Sequence, residues 1–102
     1  MAAETATQPE VAYHLDRVLH ALSDPVRLGI VLQLSRQGEC SCAALDGGRP
    51  KSTVSHHFRV LREAGLVQTR IQGVTHLNTL RRQGIDAAFP GLLAAILAAA
   101  AR

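Results

Sequence analysis

The chain has 102 residues, enough for one domain with a core of modest size. Apolar residues make up 47% of the sequence and aromatic residues only 3%, so the core is expected to be aliphatic. The net charge is +3, but residues 49–82 hold seven basic residues and one acidic residue, a local net charge of +6. A basic segment of this kind favours a polyanionic partner such as nucleic acid.

Neither a targeting segment nor a membrane span is predicted. The N-terminus lacks a basic region followed by an apolar one. The longest aliphatic run, residues 92–101, is about half the length of a membrane span. We therefore expect a cytoplasmic protein with no membrane partner. Its two cysteines, Cys40 and Cys42, should be thiols or metal ligands rather than a structural disulfide.

The chain begins with an arm and a helix. Residues 1–8 are small and polar and are expected to form a flexible N-terminal arm, after which a single domain occupies residues 9–101. The first helix is predicted at residues 9–22, with Pro9 at the favoured first position and one apolar stripe. That stripe consists of Val11, Leu15, Val18, Leu19 and Leu22.

A second helix is predicted from Pro25 to about Arg36, because Asp24 can cap it and proline suits its first position. Its apolar residues lie on nearly all sides, which indicates a buried helix. Gly29 in its middle predicts a close helix crossing, since glycine there costs about 1 kcal/mol relative to alanine. A short helix is predicted next, at residues 41–45.

After a glycine-containing turn, the sequence has the pattern of a DNA recognition helix. This helix is predicted over about residues 51–64, and Gly65 ends it because glycine enters the left-handed conformation readily. Val54, Phe58 and Leu61 form its apolar stripe. The opposite face carries small hydrogen-bonding groups and cations, which suit base edges and phosphates in the major groove.

Strand periodicity replaces helical periodicity after the recognition helix. Residues 66–71 and 75–80 flank a turn with Gly73 at its tip, which predicts a β-hairpin wing over about residues 66–80. A last helix is predicted over about residues 86–101, with its start either near Asp86 or at Phe89-Pro90. It is so apolar that we expect it to form a homodimer interface with the first helix, the alternative being packing within one chain. The predicted fold class is therefore mainly α with a β-hairpin wing, a winged helix-turn-helix.

Three strings of this sequence resemble segments of one protein family. Residues 19–28 (LHALSDPVRL) resemble its LFKALSDPTRLRIL segment, and residues 38–45 (GECSCAAL) resemble its GELCVCDL segment. Residues 53–67 (TVSHHFRVLREAGLV) are similar to its TVSHHLKVLREAGLV segment almost residue for residue. Over about residues 11–97, the sequence resembles the ArsR/SmtB family of winged helix-turn-helix transcriptional regulators.

The resemblance implies a homodimeric repressor on an inverted-repeat DNA operator, released by a metal ion, an oxidant or another small signal. By position, the family's contacts with bases and phosphates fall on Lys51, Ser52, Thr53, Ser55, His56 and Arg59. His57 lies on the flank of the helix, and the sequence does not decide whether it contacts DNA or supports the scaffold. The family often places an arginine just after the wing-tip glycine, where this chain has Val74. Arg70 or Gln72 would then have to make the wing's DNA contact.

The resemblance also implies a candidate sensor site. Cys40 and Cys42 lie where thiol-based sensors of the family place a Cys-x-Cys pair, and soft thiolates suit zinc and thiophilic metals. The pair is incomplete as a metal site, because a closed zinc site needs four ligands and the family's third cysteine position is Leu45 here. His14, a carboxylate or the other protomer would have to complete it.

A second kind of family site, on the last helix, is predicted to be absent because Asp86 is the only metal-binding residue type in that helix. His20 and His76 remain candidates for a borderline site for nickel, cobalt or zinc. Three alternatives for the effector stay open: direct metal sensing, thiol oxidation, or no effector of its own. In the last case a partner protein supplies the signal or repression is constitutive.

Two other classes of function compete with a DNA-binding regulator. A winged-helix module for protein–protein contacts without DNA binding is disfavoured by the +6 segment. An enzyme is disfavoured because the sequence shows no paired acids, no nucleophile beside an oriented base and no phosphate loop. Ser55 and His56 are neighbours on a helix and do not face each other.

Overall fold

The computed structural model describes residues 11–102, so the predicted arm at residues 1–8 lies outside the described residues. The described chain forms six helices and three strands: α1 (Leu15–Leu22), α2 (Pro25–Gln37), β1 (Cys40–Ser41), α3 (Cys42–Leu45), α4 (Lys51–Glu63), β2 (Val67–Gln72), β3 (Thr75–Leu80), α5 (Arg82–Ala88) and α6 (Leu92–Ala100). The fold is mainly α with a hairpin wing after the long helix α4, which confirms the predicted fold class.

The first helix begins later than the sequence predicts. Residues 11–14 are not helical, so α1 starts at Leu15, while the predicted first position, Pro9, lies outside the described residues. The reason is a tertiary contact, because the Tyr13 hydroxyl donates to the Gly65 carbonyl at 3.0 Å and its ring meets Phe89 edge-on at 6.4 Å. The predicted stripe is also only partly buried, since Leu15 and Leu19 are 47% and 45% exposed.

The start of α2 follows the prediction. Asp24 Oδ1 accepts from the backbone N–H groups of Val26 at 2.8 Å and Arg27 at 3.2 Å. Desolvation alone would raise the pKa of the Asp24 carboxyl, but those two bonds and the charge of Arg27 outweigh it and lower that pKa. The ionised Asp24 cap therefore stabilises the folded state. This stabilisation is fully present above the pKa of the carboxyl in the unfolded chain and is lost as the pH falls through its pKa in the folded protein.

The close helix crossing predicted at Gly29 is wrong. Gly29 is exposed, and a Cβ added there would meet nothing within 4 Å. The residues of α2 that enter the core are Ile30, Val31 and Leu34. The glycine lies on the solvent side of the helix, where no neighbouring backbone requires it.

The sheet has three strands in the order β1-β3-β2, and both pairings are antiparallel. The hairpin of β2 and β3 is the predicted wing, with Val67 opposite Leu80 and Gln72 opposite Thr75. Strand β1 was not predicted, because two residues are too few to show an alternating pattern. It joins the α2–α3 connection to the wing, so that Cys40 lies opposite Asn78.

The core is aliphatic, as the composition predicts, with Phe58 as its one buried phenylalanine among the described residues. Its fully buried side chains come from five elements and one connection: Val18, Val31, Leu34, Phe58, Leu61, Leu66, Ile85 and Leu93. Three polar residues are buried with them, namely Arg27, His57 and Asn78. Within residues 11–102 every buried side-chain nitrogen and oxygen has a hydrogen-bond partner.

A continuous last helix from near Asp86 is wrong, because two helices occupy this segment, whereas the alternative start at Phe89-Pro90 lies close to the observed last helix. α5 ends at Ala88 and α6 begins at Leu92, with a bend of 118° between them. Pro90 and Gly91, whose φ is 82°, break the helical pattern. No single helix in residues 11–102 is long and apolar enough to cross a membrane, although the bent pair reaches that length and composition together.

Gly65 ends α4 in the way the sequence predicts. Its φ is 83°, and the N–H groups of Gly65 and Leu66 donate to the carbonyls of Arg62 and Leu61, each at 3.0 Å. This is the Schellman arrangement, which needs a left-handed residue after the helix. The turn is also tight, because a Cβ on Gly65 would come within 2.7 Å of Tyr13 Cε1.

We predict that Gly65→Ala destabilises the protein more than Gly91→Ala. Both glycines have nearly the same positive φ, a conformation that costs a side chain about 1–2 kcal/mol. At Gly91 nothing lies within 4 Å of an added Cβ, whereas at Gly65 the Tyr13 segment must also move. Urea unfolding of both variants measures the difference. Equal losses of unfolding free energy would show that the Tyr13 segment does not pack on this turn.

Candidate nucleic-acid interface

Helix α4 separates into a buried face and an exposed face. Val54, His57, Phe58 and Leu61 are buried against the rest of the domain. The opposite face carries the side chains for which the sequence predicts DNA contacts, and all of them are exposed: Lys51, Ser52, Thr53, Ser55, His56 and Arg59. One rigid helix therefore presents two cations, three hydroxyl groups and an imidazole to solvent together.

A buried arginine holds α4 from behind. The Arg27 guanidinium donates through Nε to the Ala21 carbonyl at 2.8 Å and through Nη2 to the His20 carbonyl at 3.3 Å. Its Nη1 lies 3.2 Å from His57 Nδ1. A guanidinium can only donate, so Nδ1 of His57 is the acceptor and the ring proton sits on Nε2. His57, which the sequence left open, thus lies in the scaffold, only 8% exposed.

A cleft of about 400 Å³ separates the start of α4 from the wing. Its lining comes from α3 and the residue before it, the first residue of α4 and the wing: Ser41, Cys42, Ala43, Lys51, Val74, Thr75 and His76. The α4 N-terminus opens on this side, and no side chain caps it. The cleft therefore combines a cation, an uncapped helix start and a thiol.

The wing brings little positive charge to this surface. Arg70 forms a two-pronged ion pair with Glu39, with both N–O distances 2.8 Å. The hydrogen bond from Arg70 lowers the pKa of the Glu39 carboxyl, and the arginine's charge adds to that effect. Gln72 is exposed, but the tip beside it is apolar, with Ile71 70% and Val74 101% exposed.

The two cysteines are free thiols in different surroundings. Cys40 is buried, and its Sγ lies 3.4 Å from Gln37 Oε1. Cys42 is half-buried in the cleft, and its Sγ accepts from Asn78 Nδ2 at 3.2 Å.

No group of three or more His, Cys, Asp or Glu side chains in residues 11–102 could hold a metal ion. His14, His20 and His76 are all exposed and complete no such group with the thiols. Asp86 pairs with Arg82 at 3.4 Å. The donors of the described chain therefore do not fit a closed four-ligand zinc site.

Sequence reasoning missed a hydrogen-bonded group around Asn78, which is 0% exposed. Its amide nitrogen also donates to the Cys40 carbonyl at 3.3 Å, and its oxygen accepts from the Thr69 hydroxyl at 2.6 Å. Thr69 Oγ1 in turn accepts from Arg62 Nη1 at 3.4 Å. Strand alternation alone suggests that Leu77 points inward and Asn78 outward, which is the reverse of the observed burial.

Comparisons with known proteins agree with this geometry. The helix-turn-helix domain family matches residues 22–70. The HTH-type transcriptional regulator YceK of Bacillus subtilis is 39% identical over 80 residues, covering 76% of this chain and 80% of the relative. The arsenical resistance operon repressor of Staphylococcus xylosus is 37% identical over 73 residues, covering 71% of this chain and 70% of the relative. The chain belongs to the ArsR/SmtB family.

The fold agrees with that assignment. A crystal structure of an ArsR family transcriptional regulator superposes with a TM-score of 0.66 at 24% identity, covering 72% of this chain and 82% of that one. As a member of this family the chain is a DNA-binding transcriptional regulator and not an enzyme. The exposed face of α4 is its candidate nucleic-acid interface.

We predict that Arg27→Met lowers the free energy of unfolding by at least about 2 kcal/mol. It removes the donor of two buried acceptors, the Ala21 carbonyl and His57 Nδ1, at about 1–3 kcal/mol each. Arg36→Met is the matched control, since Arg36 is exposed at the end of the same helix and should change stability by less than about 0.5 kcal/mol. Urea unfolding measures both. Similar values for the two variants would contradict the role given to Arg27.

Proposed function

We propose that the protein is a homodimeric transcriptional repressor that binds an inverted-repeat operator through α4 and responds to chemistry at Cys42. The observation that carries the proposal is the exposed face of α4, where six hydrogen-bonding and cationic side chains project from one helix whose opposite face is buried. Repression rather than activation is supported by the Staphylococcus xylosus relative, which is a repressor of an arsenical resistance operon.

The side chains of α4 have different proposed roles. Lys51 and Arg59 supply charge for phosphates, and the helix start adds unpaired N–H groups, which suit an anion. Ser52, Thr53, Ser55 and His56 are short enough to approach base edges in the major groove. Because Arg70 is held by Glu39, the wing's contact is proposed to come mainly from Gln72, with Arg70 contributing only when that ion pair opens.

A dimer is supported by apolar surface that one chain leaves uncovered. Leu15 and Leu19 of α1 are nearly half exposed. On α6 the exposed positions are all alanine: Ala94, Ala95, Ala98 and Ala99. Two-fold pairing of these faces would cover them and would place two α4 helices on successive half-sites of an operator.

A thiol-directed signal is supported by the cleft at Cys42, because this sulfur borders both the α4 start and the wing. Within the described residues of one chain the thiols lack further ligands, so any metal-bound form needs donors from the second protomer or from the solution. A thiol sensor should lose its response to metals and oxidants in Cys40→Ser/Cys42→Ser. If the wild-type protein responds to none of them, a partner protein supplies the signal or repression is constitutive.

We predict that Arg59→Glu and His56→Ala each weaken binding to a duplex selected in vitro by the wild-type protein. The expected loss is about 5- to 150-fold, equivalent to about 1–3 kcal/mol for a base or phosphate contact. Fluorescence anisotropy over a range of salt concentrations measures affinity, and Arg59→Glu should also reduce the salt dependence.

Arg36→Glu is the matched control for that experiment. It makes the same change in net charge on an exposed residue outside α4, so its affinity should stay close to that of wild type. Affinities of all three variants equal to that of wild type would show that α4 does not read the DNA. A wild-type protein that selects no duplex would instead indicate a protein–protein module.

We predict that Leu19→Glu converts the dimer to a monomer in sedimentation equilibrium and weakens operator binding. A buried carboxylate in an apolar interface has no partner to offset its desolvation. Val74→Glu is the control for the oligomeric state, since Val74 is an exposed apolar residue on the wing tip rather than on α1. A Leu19→Glu protein that remains dimeric would exclude α1 from the interface.

A further inference from the structure

One row of side chains crosses the sheet from β1 to β2. The register pairs Cys40 with Asn78 and Asn78 with Thr69, so these three residues lie side by side on the same face. Directly opposite residues of paired strands are neighbours, which explains why Asn78 reaches both edges of the sheet. The row ends at Arg62, whose guanidinium links Thr69 to the last turn of α4.

The direction of each hydrogen bond in this row is fixed by chemistry. The Arg62 guanidinium can only donate, so Thr69 Oγ1 accepts from it and gives its own proton to Asn78 Oδ1. The Cys40 carbonyl can only accept, so the Asn78 nitrogen must face it. The same nitrogen donates to Cys42 Sγ, which makes this sulfur the last acceptor of a chain that starts on α4.

Asn78 cannot exchange these partners for water, because none of its surface is exposed. Leaving a buried polar group without a partner costs free energy. When one hydrogen-bond partner of Asn78 changes, Asn78 and its other partners are therefore expected to move so that their hydrogen bonds are kept. Cys42 is the partner that chemistry can change, since it borders the open cleft. Arg62 and Thr69 connect that change to α4 and to β2.

We infer that Asn78 is a positioning residue that couples the state of the Cys42 thiol to the placement of α4 against the wing. This inference rests on the proposed DNA-binding function and adds a route for its regulation. A group added to Cys42 Sγ occupies the cleft and alters the sulfur as an acceptor for Asn78. Asn78 then shifts with Thr69, and the two surfaces that meet DNA no longer keep their relative placement.

The test alkylates Cys42 with iodoacetamide in a Cys40→Ser background, so that one thiol reacts. The sulfur forms a bond to the methylene carbon, iodide leaves and the thiol proton goes to the buffer. Mass spectrometry verifies a single adduct. For each protein the affinity for the in vitro selected duplex is measured before and after alkylation, and the ratio of the two dissociation constants is compared among variants.

In the background protein we expect alkylation to weaken binding about tenfold, a usual size for coupled sites. Thr69→Val removes the hydroxyl from the middle of the chain with little change of shape, and its ratio should fall close to one. Thr69→Ser keeps the hydroxyl and should keep the background ratio. Arg62→Met breaks the exposed end without leaving a buried group unpaired, so it tests the route even if Thr69→Val folds poorly.

The ratio of dissociation constants after and before alkylation compares each variant with its own unmodified form. A variant that is merely less stable therefore does not change the ratio, whereas a loss of coupling does. If Thr69→Val and Arg62→Met keep the tenfold effect, the adduct blocks DNA directly and the role of Asn78 is refuted. An unchanged affinity after alkylation of the background protein refutes it as well, while DNA binding itself stands. If the unmodified protein selects no duplex, the proposed function fails first.

Discussion

The buried guanidinium of Arg27 is the interaction on which the rest of the structure depends. From α2 it donates hydrogen bonds to two carbonyls at the end of α1 and to one imidazole on the inner face of α4. Three helices are therefore joined at one charged group. Carbonyls at a helix C-terminus carry partial negative charge, which favours a cation there. An apolar side chain of equal volume would fill the space but leave the Ala21 carbonyl and His57 Nδ1 without their donor, whereas the His20 carbonyl would still accept from Ser23.

The hydrogen bonds of Arg27 help to explain how α4 is held in place while its outer face takes no part in the core. Val54, Phe58 and Leu61 pack α4 into the core, and the bond between Arg27 and His57 adds a directional contact to that packing. Asp24 fixes the start of α2 next to Arg27, so the contact between α1, α2 and α4 is well defined. The six exposed α4 side chains proposed to contact DNA lie outside the core and are available for the operator.

The features predicted correctly from sequence are those that depend on local pattern. The apolar stripe of α4, the cap at Asp24 and the left-handed Gly65 each follow from a few neighbouring residues. The features that were missed depend on distant contacts. Residues 11–14 leave the helix because Tyr13 packs on the Gly65 turn, and β1 exists only because Cys40 and Ser41 pair with β3.

Within the candidate site, Asn78 is a further residue whose surroundings depend on distant contacts and could not be predicted from sequence. Alternation assigns a polar residue in a strand to solvent, and nothing near it in sequence indicates that Cys40, Cys42 and Thr69 surround it. Only the three-stranded register brings them together. On α4, by contrast, helical periodicity separates the polar face from the core, and the family resemblance then names the six residues proposed to contact DNA.

The distribution of paired charges supports α4 as the proposed DNA-binding surface. The basic segment has a net charge of +6 in sequence, but Arg70 is paired with Glu39 and Arg82 with Asp86. Lys51 and Arg59 are exposed on α4, and neither forms a side-chain ion pair within residues 11–102. A phosphate therefore competes with no carboxylate for these two cations, whereas at Arg70 it must displace Glu39. Under the proposed function, the helix therefore supplies the positive charge of this interface, and the exposed wing tip, with Ile71 and Val74, is apolar.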